Sequence, residues 1–255
     1  MSLLKSENIL GYPISSNSVQ SCIEQIATWL ESGDQKNFVC ANPHSLMVAE
    51  KDHIFCKAIH SADMLTPDGV GIIIASKLLG GRIKERVTGS DVFEGVNNIL
   101  NNRKNYRYFF LGSSPETLDM IRDRLTEDCP NIVFAGAYSP PYKDVFNEED
   151  NRLMVEAINA ARPDVLWVGM TAPKQEKWVY QNSKKLDVKF IGAIGAVFDF
   201  YVGNVNRPHP IYQKIGLEWL PRLIHEPRRL WRRNFVSSPQ FILKVLKQKI
   251  NGIRE

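Results

Sequence analysis

The sequence predicts an α/β fold: a mostly parallel, Rossmann-like sheet flanked by helices, with a basic helical C-terminal appendage. Three observations carry this. Short apolar runs bounded by turn residues alternate with segments of helical periodicity, the pattern of parallel strands joined by crossover helices. No repeat or low-complexity stretch interrupts the alternation. Charge is divided unevenly: positions 207–255 hold eleven Lys/Arg against three Asp/Glu, so in a chain of net +4 the preceding body carries −4. The boundaries that follow are a core over 1–206 and an appendage over 207–255.

In such folds ligands sit beyond the carboxyl ends of the strands, so each post-strand turn bears on function. A helical pattern near 19–30 precedes the first buried strand, 38–41, which ends in Cys40-Ala41-Asn42-Pro43-His44. A residue before proline avoids helical backbone, so Asn42 is expected to aim its amide at the cleft. His44 is either a base or a packed residue. The second strand, 62–65, runs into Thr66-Pro67-Asp68-Gly69. Asp-Gly is a favoured turn pair, yet a carboxylate just past a buried strand can also take a proton from an acceptor hydroxyl. After a helix at 70–79, Arg86, Thr88, Gly89 and Ser90 form a second polar turn. An acid and a guanidinium beside one helix can receive a hydroxyl and an anion, which makes Asp68 and Arg86 the catalytic candidates.

A helix at 92–100 leads to the strand 108–111 and the turn Gly112-Ser113-Ser114-Pro115-Glu116. Ser114 is a natural N-cap and Pro115 a natural first residue for a helix at 116–125. The free N–H groups of such a turn, at Gly112 and Ser113, can hold a phosphate, although a plain helix start accounts for them as well. The strand 132–135 is followed by a helix at 148–160, where Asn147 ahead of Glu148-Glu149-Asp150 makes an acidic helix start rather than a metal motif. After the strand 165–168 come Gly169 and Pro173, then Lys174 and Gln175 in the first turn of a helix at 174–184. The helix dipole opposes a lysine there unless an anion is near, and Gln175 can hydrogen-bond a sugar or base. The last strand, 190–193, opens a run rich in small residues up to Asp199, which permits close backbone approach but lacks the G-x-G-x-x-G fingerprint.

Absences narrow the classes further. The chain has no G-x-x-x-x-G-K-[ST], H-E-x-x-H or G-x-S-x-G, and no D-x-D set, so neither a metal nor a cofactor is expected. Cys22, Cys40, Cys56 and Cys129 form no C-x-x-C pair and read as thiols in a reducing compartment. Lys5 and Glu7 precede any long apolar run, which argues against a signal peptide. The most apolar stretch, 190–202, contains Asp199 and falls short of the ~18–20 residues that cross a bilayer.

The appendage has its own logic. Arg228, Arg229, Arg232 and Arg233 recur on one side of a helix with Trp231 and Phe235 between them. Phe241, Ile242, Val245, Leu246 and Ile250 then form an apolar stripe with Lys244 and Lys247 off it. This suits an anionic membrane surface, with the apolar face in lipid and the cations on headgroups. A helical arm packed on the body is the plainer alternative. Nucleic acid is disfavoured because the charge is confined to one end and no recognition motif accompanies it.

Several segments in one order then resemble a known family: Asn42, Thr66-Pro67-Asp68-Gly69, Glu85-Arg86-Val87-Thr88-Gly89-Ser90-Asp91, Gly169 with Pro173-Lys174-Gln175-Glu176, Gly192 and Gly195 with Phe198-Asp199, Gly203 with Arg207, and Gly216-Leu217-Glu218-Trp219-Leu220 with Arg222. Over roughly 38–233 the chain is similar to the WecG/TagA/CpsF bacterial glycosyltransferases. The resemblance implies an inverting, metal-independent enzyme on the cytoplasmic face of the cell membrane. It would transfer a sugar from a UDP-sugar donor to an undecaprenyl-diphosphate-linked saccharide during cell-surface polysaccharide biosynthesis. Carried over by position, Asp68 is the general base, Asn42 and Arg86 line the site, Gln175 helps hold the donor, and Arg222, Arg229 and Arg232 close over the diphosphate. Cys40 stands where many members have Thr, and a thiol is the weaker donor. Self-association into a homo-oligomer is left open. The competing classes are a membrane-associated nucleotide-sugar binder without turnover and an NAD-dependent oxidoreductase, the latter opposed by the missing glycine fingerprint.

Overall fold

The computed structural model describes residues 5–103, 105–205 and 231–252. Six apolar runs become strands of one parallel sheet: β3 (Lys36–Ala41), β4 (Met64–Pro67), β5 (Arg107–Gly112), β6 (Val133–Tyr138), β7 (Val165–Gly169) and β8 (Phe190–Ala193), in the order β4-β3-β8-β7-β5-β6. Strands this apolar must be covered on both faces. Alternate residues go to opposite sides, Tyr108 and Phe110 with Trp167 to one, Phe109 and Leu111 with Val168 to the other. The α/β expectation is met, and the sheet is parallel throughout.

Helices α1 (Val19–Ser32), α5 (Gly89–Asn101), α6 (Pro115–Asp128) and α9 (Val197–Val202) cover the first face. Helices α2 (Pro43–Ala49), α3 (His53–His60), α4 (Val70–Leu79), α7 (Glu148–Ala161) and α8 (Lys174–Asn182) cover the second. β4 starts two residues later than its apolar run suggests, because Ala62 and Asp63 lie at the sheet's lower rim, where Asp63 accepts the backbone N–H of Asn37. Neither α2 nor α3 stands out from periodicity; each is short and set by its cap, Asn42 and Asp52 respectively.

An N-terminal hairpin, β1 (Ser6–Ile9) and β2 (Tyr12–Ser15), is absent from the sequence reading. Its two-residue turn places Leu10 and Gly11 at positive φ, the left-handed geometry such hairpins need, but Leu10 disguises it. The C-terminal helix Ser238–Gly252 packs on α2 and α4, with Phe241 and Val245 fully buried beside Ile72 and Ala75. Part of the stripe read as lipid-facing is therefore core, since a 15-residue helix gains more by burying it on the body. Leu243, Leu246 and Ile250 stay exposed. No described helix is long and apolar enough to cross a membrane.

Candidate active site

The sheet order creates a place between β5 and β7 where a ligand is expected. β5 is followed by α6 on one face and β7 by α8 on the other, so the chain diverges between two hydrogen-bonded neighbours. A crevice opens at such a switch point. Here Gly112 is in register with Gly169. Gly112 has φ +113°, and a Cβ on it would run into the Gly169 carbonyl. Ser113 follows at φ 61° and its carbonyl accepts from Ser139 Oγ at 2.7 Å. Ser114 caps α6, accepting from Thr117 N at 3.3 Å.

A second group forms at the other end of the same rim. Cys40 is in register with Thr66, and Ala41 with Pro67. Asp68 follows, its N–H donating to the Ala41 carbonyl at 2.8 Å, and Gly69 turns the chain into α4 at φ +97°. The Arg86 turn lies directly alongside: Val87 N donates to the Pro67 carbonyl at 2.9 Å and Thr66 Oγ1 to the Val87 carbonyl at 2.9 Å. Asp68 and Arg86, both half-buried, are thus held by adjacent backbone. Thr88 and Asp91 form a capping box at the start of α5, so that second polar turn is also a helix start.

Asn42 lies next to Asp68 but is committed in part. Its Oδ1 accepts Ser45 N at 3.0 Å as the N-cap of α2, leaving Nδ2 without a partner among the described residues. His44 shares its Nδ1 with Ser237 Oγ at 2.8 Å, which ties it to the C-terminal segment. Cys40 donates weakly toward the Val87 carbonyl at 4.0 Å and accepts from Thr66 Oγ1 at 3.5 Å. Burial raises its thiol well above the ordinary value, and the negative charges of Asp68, Glu176 and Asp91 add to the effect. Carboxylates from three different segments thus bear on one thiol.

Between the two groups, Gln175 stitches the rim together. Its Oε1 accepts Met170 N at 3.3 Å and Gly195 N at 3.0 Å, joining the β7–α8 and β8–α9 turns. Its Nε2 donates to Glu176 Oε1 at 2.9 Å. Gln175 is therefore buried and acts first as a tie, with one amide N–H lacking an acceptor among the described residues. Glu176, assigned no role from sequence, is buried beside it, and its Oε2 has no hydrogen-bond partner among the described residues. Burial pushes its carboxyl up to about 7, opposed by the bonds from Gln175 and its own backbone N–H. The available clue was an acid in the third helical position straight after a buried strand.

Lys174 faces away from this centre, over the Phe146 ring at 4.0 Å and bonded to the Lys143 carbonyl. Desolvation lowers its pKa, with Asp144 and Asp150 pulling the other way. Gly169 packs beneath the Phe198 ring. Arg222 and Arg229 lie outside the described residues, and Arg232 begins a π-helical turn, Arg232–Ser237. Among the described residues no group of three or more His, Cys, Asp or Glu side chains is placed to hold a metal ion. A cavity of about 200 Å³ between α5, α6 and α9 is lined by Ser90 of the second polar turn but by none of the predicted catalytic or substrate-binding residues.

The strip from Asp68 to Gly112 can be set against known proteins. The profile described as glycosyl transferase WecG/TagA/CpsF family matches residues 7–255. The chain belongs to the WecG/TagA/CpsF family of glycosyltransferases. Among relatives, an N-acetylglucosaminyldiphosphoundecaprenol N-acetyl-beta-D-mannosaminyltransferase of Bacillus subtilis (strain 168) is 30% identical over 250 residues, covering 97% of this chain and 94% of its own length. A protein of the same name from Bacillus spizizenii is 31% identical over 87% of this chain and 83% of its own. One from Staphylococcus aureus (strain MRSA252) is 27% identical, covering 95% and 92%. The match therefore takes in both ends of the strip and the C-terminal helix.

Proposed function

We propose that this glycosyltransferase moves a sugar, N-acetylmannosamine first among candidates, from a UDP-sugar to an undecaprenyl-diphosphate-linked saccharide, with inversion, at the cytoplasmic face of the membrane. The observation that carries the reading is the pairing of Asp68 and Arg86 on adjacent backbone at the carboxyl ends of β3 and β4. The relatives' names supply the acceptor class and the sugar.

The reaction needs one displacement. Asp68 takes the proton of the acceptor hydroxyl as its oxygen attacks the anomeric carbon, the bond to the diphosphate breaks, and UDP leaves from the opposite side. Holding acceptor and donor in line supplies much of the rate, and positive charge on the departing diphosphate supplies more. Arg86 stands beside Asp68 for that role, and Arg222, Arg229 and Arg232 are proposed to join it.

The strip also gives the donor a direction. Asp68 follows β4 and Gly112 ends β5, four interstrand steps apart, or about 19 Å at ~4.8 Å per step. The β-phosphate is bonded to the carbon under attack and must lie near Asp68. The Gly112–Ser113 turn is too far for it and suits the nucleoside end. The diphosphate then reaches the β8 turn, two steps or about 10 Å from β4, which Gln175 joins to the β7 turn.

The appendage is proposed to rest on an anionic membrane. Trp231 and Phe235 stack with ring centroids 4.4 Å apart and are exposed, as are Leu243, Leu246 and Ile250. The test is a transfer assay with a short-chain lipid-diphosphate N-acetylglucosamine and a panel of UDP-sugars, with and without EDTA. Product from UDP-N-acetylmannosamine in both arms is expected. UDP binding without product from any donor or acceptor would favour a binding protein instead.

A further inference from the structure

A buried acid without a compensating charge among the described residues lies under the donor half of the strip. Glu176 is 5% exposed, Gln175 likewise, and the pair sits where β7 and β8 give way to their turns. One Glu176 oxygen accepts from Gln175; the other has no partner among the described residues. Gln175 in turn holds Met170 N and Gly195 N, so Glu176 braces a side chain that ties the two turns together. An uncharged carboxylic acid in this place can keep its bond to Gln175 and offers a hydroxyl on the free oxygen. An ionised one puts an unpaired negative charge in low dielectric.

No charged group among the described residues relieves that. Cys40 on β3 feels Glu176, together with Asp68 from the β4–α4 turn and Asp91 from α5, all of them negative. On α8 itself, Lys177 is already paired with Asp52 of α3 at 2.9 Å, and Lys174 points to Phe146. Adding a diphosphate to the same rim makes an ionised Glu176 still less favourable, since like charges at short range repel.

We propose that Glu176 is a positioning residue for the donor: as the uncharged acid it holds Gln175 across the β7 and β8 turns, and when ionised it repels the diphosphate reaching the β8 turn. This rests on the reading of the strip as a UDP-sugar site. The donor is thereby coupled to a proton, with binding of the diphosphate favouring protonated Glu176 and alkaline solution weakening the donor through it.

The experiment is calorimetric UDP binding and donor KM and kcat from about pH 6 to pH 8.5, for wild type, Glu176→Gln and Glu176→Ala, each checked for a wild-type fold by circular dichroism. Glutamine keeps the shape and cannot ionise. Glu176→Gln is expected to match wild type at the acid end and to bind UDP about tenfold more tightly at the alkaline end. Glu176→Ala is expected to raise donor KM about tenfold across the range with a smaller change in kcat. Parallel pH profiles for wild type and Glu176→Gln would overturn the proposal, as would a folded Glu176→Ala with unchanged KM. A wild-type chain that neither binds UDP nor transfers sugar would take down the functional reading beneath it, an outcome distinct from failure of Glu176 alone.

Discussion

Replacing Gly112 with alanine tests the geometry of the switch point. Two effects add. The residue sits at φ +113°, where a Cβ costs about 1–3 kcal/mol. The added methyl would also clash with the Gly169 carbonyl oxygen and come within 2.8 Å of its carbon and 2.9 Å of Met170 Cγ. Forcing β5 and β7 apart there costs about a further 1–3 kcal/mol. The total is about 2–6 kcal/mol, or a drop in melting temperature of roughly 4–24 °C at ~2–4 °C per kcal/mol. Gly33 is the control: it has φ +81° and nothing within 4 Å, so Gly33→Ala carries the backbone effect alone. Thermal unfolding by circular dichroism on both variants separates the two effects, and UDP calorimetry reads the site. Gly112→Ala melting together with Gly33→Ala and binding UDP normally would refute close approach at this crevice.

Other expectations follow from the same structure. Asp68→Asn should abolish turnover and leave UDP affinity nearly intact in the transfer and calorimetric assays. Phe241→Ala, emptying a fully buried position between the C-terminal helix and the body, should cost about 3–5 kcal/mol by denaturant unfolding. Glu176, raised from 4.5 to about 7, should make the fold less stable by about 3 kcal/mol as pH rises from 4.5 to 7, because the unfolded chain releases that proton first. Glu176→Gln should lack this slope in parallel melts. Cys40, raised by burial and nearby carboxylates, should resist iodoacetamide at neutral pH and react at an ordinary thiol rate in urea.

The sheet was legible because most of its strands are both short and doubly buried, the half-exposed edge strand β6 being the exception. The run at 190–193 is a four-residue strand with every residue inside, and the structure matches it residue for residue. The caps at Ser114 and Asn147 were equally plain, since hydroxyl or amide, proline and acid occupy the positions helix starts require. Pairing of distant segments was not. Asp68 and Arg86 were expected beside one helix, but nothing local says that Val87 lies against Pro67, the backbone contact that holds their two turns together. Gln175 read as a side chain facing a ligand; its bonds to Met170 and Gly195 depend on strand order, which periodicity does not encode. Glu176 looked like any acid in a first helical turn, and its burial becomes visible only once α8 is laid on the sheet.

Gln248 on the C-terminal helix accepts Leu10 N at 2.8 Å and donates to the Asn8 carbonyl at 3.0 Å. The hairpin is thereby clasped by a residue made 238 positions later than Leu10. At about 5–20 residues per second, a ribosome takes roughly 10–50 s to supply that partner. The six-stranded body can assemble in that interval, but the clasp cannot close until the last helix emerges. Maturation of the front of the molecule is therefore timed by its rear. A nascent chain stalled before Gln248 would present an unfastened hairpin and bare α2 and α4 surfaces, the kind of apolar exposure that chaperones and proteases engage.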